Sequence, residues 1–194
     1  MTSAQGSILD RPLRGFLDQL AARTPAPGGG GAAAITGATA AGLVAMAARF
    51  SGARLPGAGD LAARADEMRR QAADLADLDA RAYQAVLAAR GPQRKEALRA
   101  AAEVPLEIAE IAARIARLAV QVAEGGNPNL RGDVVTGAVL AAASARSAAC
   151  LVDINVSAGG LEPGLSRRAA QAAADARDAA DQATTVSMST ERSG

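Results

Sequence analysis

The chain has 194 residues, a formal net charge of +1 and 49% apolar residues, but only 2% aromatic residues. This length is enough for one domain with its own core, and we expect residues 1–194 to form a single domain. The near-neutral charge excludes recruitment of nucleic acid by electrostatic attraction alone, so no nucleic-acid partner is expected. Alanine makes up much of the apolar content, which is typical of helices that pack closely against one another.

No histidine is present, and Cys150 is the single cysteine. The composition therefore excludes Ser-His triads, histidine metal sites and disulfides within the chain. Cys150 lies in an apolar stretch, which predicts a small buried residue and not a nucleophile. Any acid–base chemistry must come from Asp, Glu, Lys, Tyr or Cys.

The first ten residues lack a basic segment followed by an apolar one, so we expect no signal peptide. The apolar stretch 32–48 is short, is interrupted by Thr36 and Thr39, and is closed by Arg49. These features favour a core helix over a membrane span. We therefore expect a cytoplasmic protein with no membrane partner.

Hydrophobic spacing and helix breakers predict an all-α protein, an antiparallel bundle of about six helices with no strand. The predicted helices cover approximately residues 8–22, 31–50, 60–90, 93–124, 133–156 and 165–185. In the first helix, Phe16, Leu17 and Leu20 share an apolar face. The second helix is apolar in several directions, which predicts burial on all sides.

Several residues predict where these helices begin, bend and end. Asp60 has the character of an N-cap for the third helix. Pro105 lies inside the fourth helix and predicts a kink or a break near Val104, because proline removes one backbone hydrogen bond. Residues 187–194 are predicted to fray.

The run from Thr24 to Gly31 contains two prolines and then four glycines, directly before the second helix. A glycine-rich turn that opens into a helix presents free N–H groups, so Gly28, Gly29 and Gly30 are candidates for contact with an anionic group of a ligand. The simpler interpretation is a tight corner where one helix passes close to another. The residues do not match a Walker loop, because Ala32 follows the last glycine.

The third helix carries Asp74, Asp77 and Asp79, with Tyr83 one turn after Asp79. Asp77 and Asp79 point about 160° apart on a helix, so they do not form a carboxylate pair on one face. Asp79 and Tyr83 share a face. The pattern alone favours three solvated surface charges, with one inward-facing aspartate as the alternative.

The remaining candidates lie in the second half of the chain. Asn127 belongs to a turn-rich loop, and Asp133 follows it where the fifth helix is predicted to begin, which also fits a simple N-cap. Arg146 lies among alanines, and a charge in an apolar setting favours a carboxylate partner or an anionic ligand.

Four segments occur in an order that resembles one known family. They are Thr24-Pro25-Ala26-Pro27-Gly28-Gly29-Gly30-Gly31-Ala32-Ala33-Ala34, Asp79-Ala80-Arg81-Ala82-Tyr83, Val104-Pro105-Leu106, and Gly126-Asn127 followed by Asp133. Together they are similar to the formiminotransferase-cyclodeaminase C-terminal family, which includes stand-alone bacterial methenyltetrahydrofolate cyclohydrolases. The similarity covers roughly residues 12 to 160.

The resemblance implies an all-helical homodimer that acts on one-carbon tetrahydrofolates, with Asp79 as the catalytic residue. Cyclohydrolase activity is the first expectation, because no transferase domain accompanies this chain, and cyclodeaminase activity is the alternative. A third alternative is an inactive helical dimer that binds a ligand or partner. It is motivated by departures from the family pattern in the lysine-free segment 51–57, at Gly132 and at Leu151.

The chemistry implied by the resemblance needs one carboxylate. Water adds to a cationic amidinium carbon and loses a proton, which a carboxylate can accept without a histidine, a metal or a bound cofactor. We expect the Gly28–Gly31 turn and the loop around Asn127 and Asp133 to converge on Asp79.

Overall fold

The computed structural model describes residues 7–189, and within that range every regular element is helical. The α-helices are α1 (Leu13–Ala21), α2 (Gly29–Ser51), α3 (Ala58–Ala88), α4 (Pro92–Gly125), α5 (Arg131–Gly159) and α6 (Gly164–Ser189). Short 3₁₀ turns lie at Ile8–Asp10, Gly52–Arg54 and Pro128–Leu130. The predicted all-α fold is confirmed. Of the tail that was predicted to fray, residues 190–194 lie outside the described residues.

Helix α4 lies at the centre of the bundle and packs against α2, α3, α5 and α6. It supplies the largest fully buried side chains, which include Ile108, Ile111, Ile115 and Leu118. Burying such side chains contributes roughly 1.5–3 kcal/mol each, so α4 carries much of the stabilisation of an otherwise alanine-rich core.

Helices α2 and α5 run antiparallel and approach each other through small residues. A Cβ atom at Gly137 would lie 3.2 Å from the carbonyl oxygen of Ala40, so the backbones meet where a side chain is missing. The buried hydroxyl of Ser144 donates a 2.8 Å hydrogen bond to the carbonyl oxygen of Ala33. This contact ties the first turns of α2 to the middle of α5.

The sequence predicted a kink or a break near Pro105. The structure shows no break there, because α4 continues from Pro92 to Gly125. Proline cannot donate to the carbonyl oxygen of Ala101 one turn earlier. The side-chain amide of Asn155 in α5 donates to that oxygen instead, at 2.8 Å. A polar residue on a neighbouring helix therefore replaces the hydrogen bond that proline removes.

Several helix ends differ from the predicted ones. Helix α2 begins at Gly29 and not Gly31, and α5 begins at Arg131 and not Asp133. Helix α3 begins at Ala58, so Asp60 lies inside its first turn and is not the N-cap. The residue before α3 is Gly57, whose φ of 73° is open mainly to glycine. At the other end of the chain, residues 187–189 are helical and not frayed.

The predicted first helix is divided in two. Its first residues form the 3₁₀ turn, and α1 begins only after Pro12. On α1, Phe16 is buried while Leu17 and Leu20 are exposed, so the described chain covers only one residue of the predicted apolar face. Packing covers only one of the three residues because α1 is short and lies at the edge of the bundle.

One side of α2 and α5 is left uncovered within the described residues and is largely apolar, with Arg146 at its edge. We call it the α2–α5 face; its most prominent residues are Thr39, Leu43, Met46, Phe50, Val139, Ala143, Cys150 and Ile154. Phe50 is 70% exposed and Ile154 is 61% exposed. The predictions that α2 is buried on all sides and that Cys150 is buried are therefore wrong, because no helix within residues 7–189 packs on this side.

The segments Gly29–Arg54 and Pro128–Gly159 are long and apolar enough to cross a membrane, each reaching a mean hydropathy of 1.6. The most apolar stretch of Gly29–Arg54 is 61% buried inside the protein. That of Pro128–Gly159 is 39% buried. The core helices of water-soluble bundles meet the same criterion, so these values are weak support for a span. The second value reflects the uncovered side of α5.

Candidate functional site

Asp79 lies on the core-facing side of α3, in line with residues that the bundle buries. Leu75 and Ala76 one turn earlier are buried, and so is Val86 two turns later. Because residues three, four and seven apart share a helix face, a carboxylate here points toward the neighbouring helix and not toward bulk water. The interpretation of Asp79 as a solvated surface charge is therefore wrong.

The neighbour that Asp79 meets is the glycine-rich start of α2. The backbone N–H of Gly31 donates to Oδ2 of Asp79 at 3.1 Å. Gly31 is the third residue of α2, and its N–H is one of those that no helical carbonyl reaches. Gly28 makes no side-chain cap, so Asp79 caps α2 from another helix.

Gly30 makes this approach possible. A Cβ atom at Gly30 would overlap both oxygens and the carboxyl carbon of Asp79. By contrast, a Cβ atom at Gly28 would meet nothing within 4 Å. At the glycine run, α2 therefore lies close to α3, as the simpler interpretation predicted. The group of α3 that contacts the glycines is the carboxylate of Asp79.

Burial raises the pKa of the Asp79 carboxyl above its ordinary value of 3.8, and the hydrogen bond from Gly31 offsets part of the rise. A raised pKa in a partly enclosed position is a recognised sign of an acid–base residue. Asp79 can both accept and return a proton closer to neutral pH than a solvated aspartate.

The two neighbouring aspartates have other surroundings. Asp77 points to the far side of α3, where its Oδ1 accepts a 2.8 Å hydrogen bond from the N–H of Ile8. Asp74 is exposed, as the solvated interpretation predicted. Of the three, only Asp79 lies at the start of α2.

A cavity of about 310 Å³ opens beside the first turns of α2, between α2 and α5. It is lined by Gly29, Ala32, Ala33, Thr36, Ala143, Ser144, Ser147 and Leu151. Most of these groups are apolar or carry hydroxyls, so the cavity can take an uncharged, flat part of a ligand. Gly29, which lines the cavity, directly precedes Gly30, where Asp79 meets α2.

The predicted convergence of both loops on Asp79 does not occur within one chain. The N–H of Asn127 donates to Oγ of Ser51 at 2.9 Å, at the last residue of α2. Because α2 rises about 1.5 Å per residue, this contact lies roughly 30 Å from Gly30. Asp133 follows in the first turn of α5, at the same far end. The loops separate because α2 spans the whole bundle between them.

Two further candidates are exposed. Tyr83 lies one turn beyond Asp79, on the same face, and is 46% exposed. Arg146 points to solvent on α5, so its alanine neighbours in the sequence do not enclose it, and no ion pair of Arg146 occurs within residues 7–189. The expected carboxylate partner of Arg146 is therefore not found.

Gly31 belongs to the turn that was expected to meet Asp79, but it was not among the glycines predicted to contact a ligand. The structure shows that α2 begins at Gly29, which places Gly31 among its unpaired amides. Leu151 and Ser147, which line the cavity, were also missed, and no local pattern distinguishes them. Within residues 7–189, no group of three or more Cys, Asp or Glu side chains is arranged to hold a metal ion.

Comparison with known proteins identifies relatives of this arrangement. The family model described as formiminotransferase-cyclodeaminase matches residues 12–159. A methenyltetrahydrofolate cyclohydrolase of Methylorubrum extorquens is 35% identical over 159 residues, which is 72% of this chain and 76% of that protein. The formimidoyltransferase-cyclodeaminases of mouse and rat are each 30% identical over 182 residues, and the chain covers only 29% of their length.

A solved structure has the same fold. It is the formiminotetrahydrofolate cyclodeaminase of Thermotoga maritima, which superimposes with a TM-score of 0.88 at 24% identity, over 95% of this chain and 99% of that one. The match of the family model to most of the chain, together with the identity to the bacterial cyclohydrolase, shows that the chain belongs to the formiminotransferase-cyclodeaminase family.

Proposed function

We propose that this protein is a methenyltetrahydrofolate cyclohydrolase, which hydrolyses 5,10-methenyltetrahydrofolate to 10-formyltetrahydrofolate. The observation that carries the proposal is the carboxyl of Asp79, whose pKa burial raises and which the bundle holds at the glycine-rich start of α2. The 35% identity to a protein of that name, over most of both chains, supports the choice of reaction.

In the proposed mechanism, Asp79 moves one proton in each direction. The oxygen of a water adds to the methenyl carbon, and Asp79 accepts a proton from that water, which leaves a neutral adduct. Asp79 then returns the proton to N5 as the bond between N5 and the former methenyl carbon breaks. The hydroxyl proton leaves to solvent, so cation and water become the formyl product and one proton. General acid–base help of this kind contributes about 10²–10⁴-fold.

Gly28, Gly29 and Gly30 border the reaction centre in this proposal, with Tyr83 one turn away on α3. The partial positive charge at the start of α2 favours an anionic group of the substrate there. We propose that no metal and no resident cofactor take part, and that the enzyme acts in the cytoplasm; both stay predictions.

Cyclodeamination is the second candidate, because the mouse and rat relatives that carry that name match 82% of this chain. It would eliminate ammonia from a 5-formimino group and could use the same carboxylate. Purified protein should be assayed with both substrates, following the loss of methenyltetrahydrofolate absorbance and the release of ammonia. Turnover of the methenyl compound with no ammonia release supports the proposal. Ammonia release alone would replace it with the deaminase, and no turnover of either would favour an inactive binding protein.

We also propose that the protein is a homodimer joined through the α2–α5 face. This face is largely apolar, with Arg146 at its edge, and contains several well-exposed apolar side chains, which a monomeric protein rarely leaves uncovered over such a length. A two-fold axis that crosses α2 near its middle would pair two copies of this face antiparallel. In that arrangement the Asn127–Asp133 end of one copy would approach the Asp79 end of the other, and the predicted convergence would occur between copies.

The dimer proposal is tested by placing a charge in the centre of the face. We expect Ala143→Arg to shift the molecular mass measured by light scattering from dimer to monomer and to lower activity. The control is Ala63→Arg, an exposed alanine on α3 away from this face. A wild type that is monomeric at micromolar concentration would contradict the proposal. Recovery of the wild type only with lipid or detergent would favour a bilayer as the cover of the face.

A further inference from the structure

The α2–α5 face carries a regular row of side chains along α2. Its members are spaced alternately four and three residues apart, so they lie along one line of the helix, as the contact seam of a coiled coil does. We call them the α2 row, which consists of Ala32, Thr36, Thr39, Leu43, Met46 and Phe50. All six are at least partly exposed, so the row can contact another molecule.

The two halves of the α2 row differ in side-chain size. The first three members are small and the last three are large. Phe50, the last member, is 70% exposed, so its ring stands out from that end of the row. The spacing is symmetric about Ala41, because the small members precede it by nine, five and two positions and the large members follow it by nine, five and two.

A two-fold axis at the level of Ala41 therefore pairs each small member of the row with a large one. In a two-fold contact, a residue that meets a second residue of the other copy is itself met by that residue in return. Phe50 of the partner subunit would lie over Ala32, and the inner members would pair in the same way. Large side chains opposite small ones interdigitate without voids. This complementarity of the row with itself favours a second copy of the chain as its cover.

The small half of the α2 row borders the cavity beside the start of α2. Ala32, its first member, lines the cavity together with Gly29. From α5, Ala143 and Ser147 line it and are exposed, so the cavity opens onto the α2–α5 face. The pairing that buries Phe50 therefore brings its ring to the mouth of this cavity.

We propose that Phe50 of the partner subunit covers this cavity and stacks on the pterin ring of a folate bound there. The inference rests on the proposed function and the proposed dimer, and it adds a substrate-contacting residue and the copy that supplies it. Ala32 lies about 3 Å along α2 from Gly30, where Asp79 meets the helix. A ring held under the phenyl group therefore lies beside the carboxyl of Asp79. A phenyl group suits a flat ligand through apolar contact and offset stacking.

Each reaction site in this arrangement needs both copies. Within one chain Phe50 and Gly30 lie at opposite ends of α2, roughly 30 Å apart, so a chain cannot bring its own Phe50 to its own Asp79. We expect Phe50→Ala to raise both the KM for methenyltetrahydrofolate and the dissociation constant of folic acid about tenfold, with a similar kcat, because one aromatic stacking partner is lost. Phe50→Tyr, which keeps the ring, should retain the affinity.

Mixed dimers test which copy supplies Phe50. A dimer of one Asp79→Asn chain and one Phe50→Ala chain can be isolated through two different affinity tags. If the phenyl group crosses between copies, one of its sites has both Asp79 and Phe50 and the other has neither. We therefore expect the wild-type KM and about half of the wild-type kcat, since one of two equivalent sites is intact. A mixed dimer with the raised KM of the Phe50→Ala homodimer would overturn the inference.

Val139→Ala is the control for weaker packing between the copies. Val139 is 50% exposed on the same face, but it does not line the cavity. We expect this variant to keep the wild-type KM and folic acid affinity, and light scattering at the assay concentration shows whether each variant is dimeric. Should Phe50→Ala dissociate, Phe50→Leu carries the same expectation, because it keeps apolar packing and loses the flat ring.

Folic acid separates this inference from the proposed reaction, because it lacks the one-carbon unit and its binding by calorimetry does not depend on hydrolysis. Weaker binding to Phe50→Ala, in a protein that hydrolyses no substrate, would overturn the reaction and leave the shared site intact. Hydrolysis with equal KM and equal folic acid affinity in the wild type and Phe50→Ala would overturn the shared site and leave the reaction intact. An active wild type that is monomeric would do the same.

Discussion

At each end of α2 a side-chain oxygen accepts a backbone N–H, but the two side chains differ in charge. At the first end, an oxygen of Asp79 accepts the N–H of Gly31. At the last end, the hydroxyl of Ser51 accepts the N–H of Asn127 and donates to the carbonyl oxygen of Ala47 at 2.7 Å. Each end also needs a glycine, because a Cβ atom at Gly30 or Gly126 would collide with its surroundings.

The difference lies in charge and in how completely the capping group is satisfied. Ser51 is buried, neutral and hydrogen-bonded in both directions, so it costs the fold nothing to keep. Asp79 is ionisable, and Gly31 supplies its one backbone donor while burial disfavours its charge. Ser51 joins the last turn of α2 to the loop after α4 with a neutral group, whereas Asp79 brings an ionisable group to the first turn, which fits an acid–base role.

The largest expected effect is on activity at the first end. Asp79→Asn should lower turnover by about 10²–10⁴-fold, because the amide cannot accept and return a proton. The fold should stay intact, since the amide oxygen can still accept the N–H of Gly31. Steady-state kinetics and circular dichroism measure the two effects. Asp77→Asn, on the far side of α3, is the control and should retain activity; equal rates for Asp79→Asn and wild type would contradict the assignment.

A smaller loss should follow from moving the carboxylate without removing it. Gly30→Ala should push Asp79 away from the start of α2, and displacement of a catalytic group by about 1 Å can cost about 10²-fold in rate. Gly28→Ala introduces the same methyl group where nothing lies within 4 Å, so its rate should stay near that of the wild type. The prediction fails if the two variants lose activity equally.

The smallest effects are on stability, and their pH dependence separates the two ends. Burial raises the pKa of Asp79 in the folded protein above its ordinary value of 3.8. The free energy of unfolding should therefore fall as the pH rises from about 4 and Asp79 loses its proton. Asp79→Asn should therefore melt at a higher temperature than the wild type at pH 7, and the gap should shrink toward pH 4. A gap that is absent, or that is equal at both pH values, would count against the burial of this charge.

Ser51→Ala provides the uncharged comparison. It removes a buried hydrogen-bonding group at a cost of about 1–3 kcal/mol. For a protein of this size each kcal/mol lowers the melting temperature by about 2–4 °C. This loss should be the same at pH 7 and pH 4. A pH-dependent loss would show that Ser51 is coupled to a titrating group.

The sequence alone predicted six helices, their order and most of their extent, because apolar spacing and breakers such as Gly91-Pro92 act locally. It also singled out Asp79, but only through the resemblance to a family, since the local pattern favoured a solvated charge. Of the kink or break predicted near Val104, a break does not occur, because the amide of Asn155, 50 residues away, takes the place of the N–H that Pro105 lacks. No local pattern contains that partner.

The sequence by itself determined the all-helical architecture, the glycine-rich start of α2 and the absence of histidine chemistry, because composition and spacing decide these. The tertiary structure decided which aspartate is buried, which end of α2 each loop occupies, and which side of α2 and α5 remains uncovered. These depend on which helices pack together, and alanine-rich helices look alike in sequence on several faces. Asn127 and Asp79 therefore look like parts of one site along the chain, yet α2 holds them at opposite ends of the bundle.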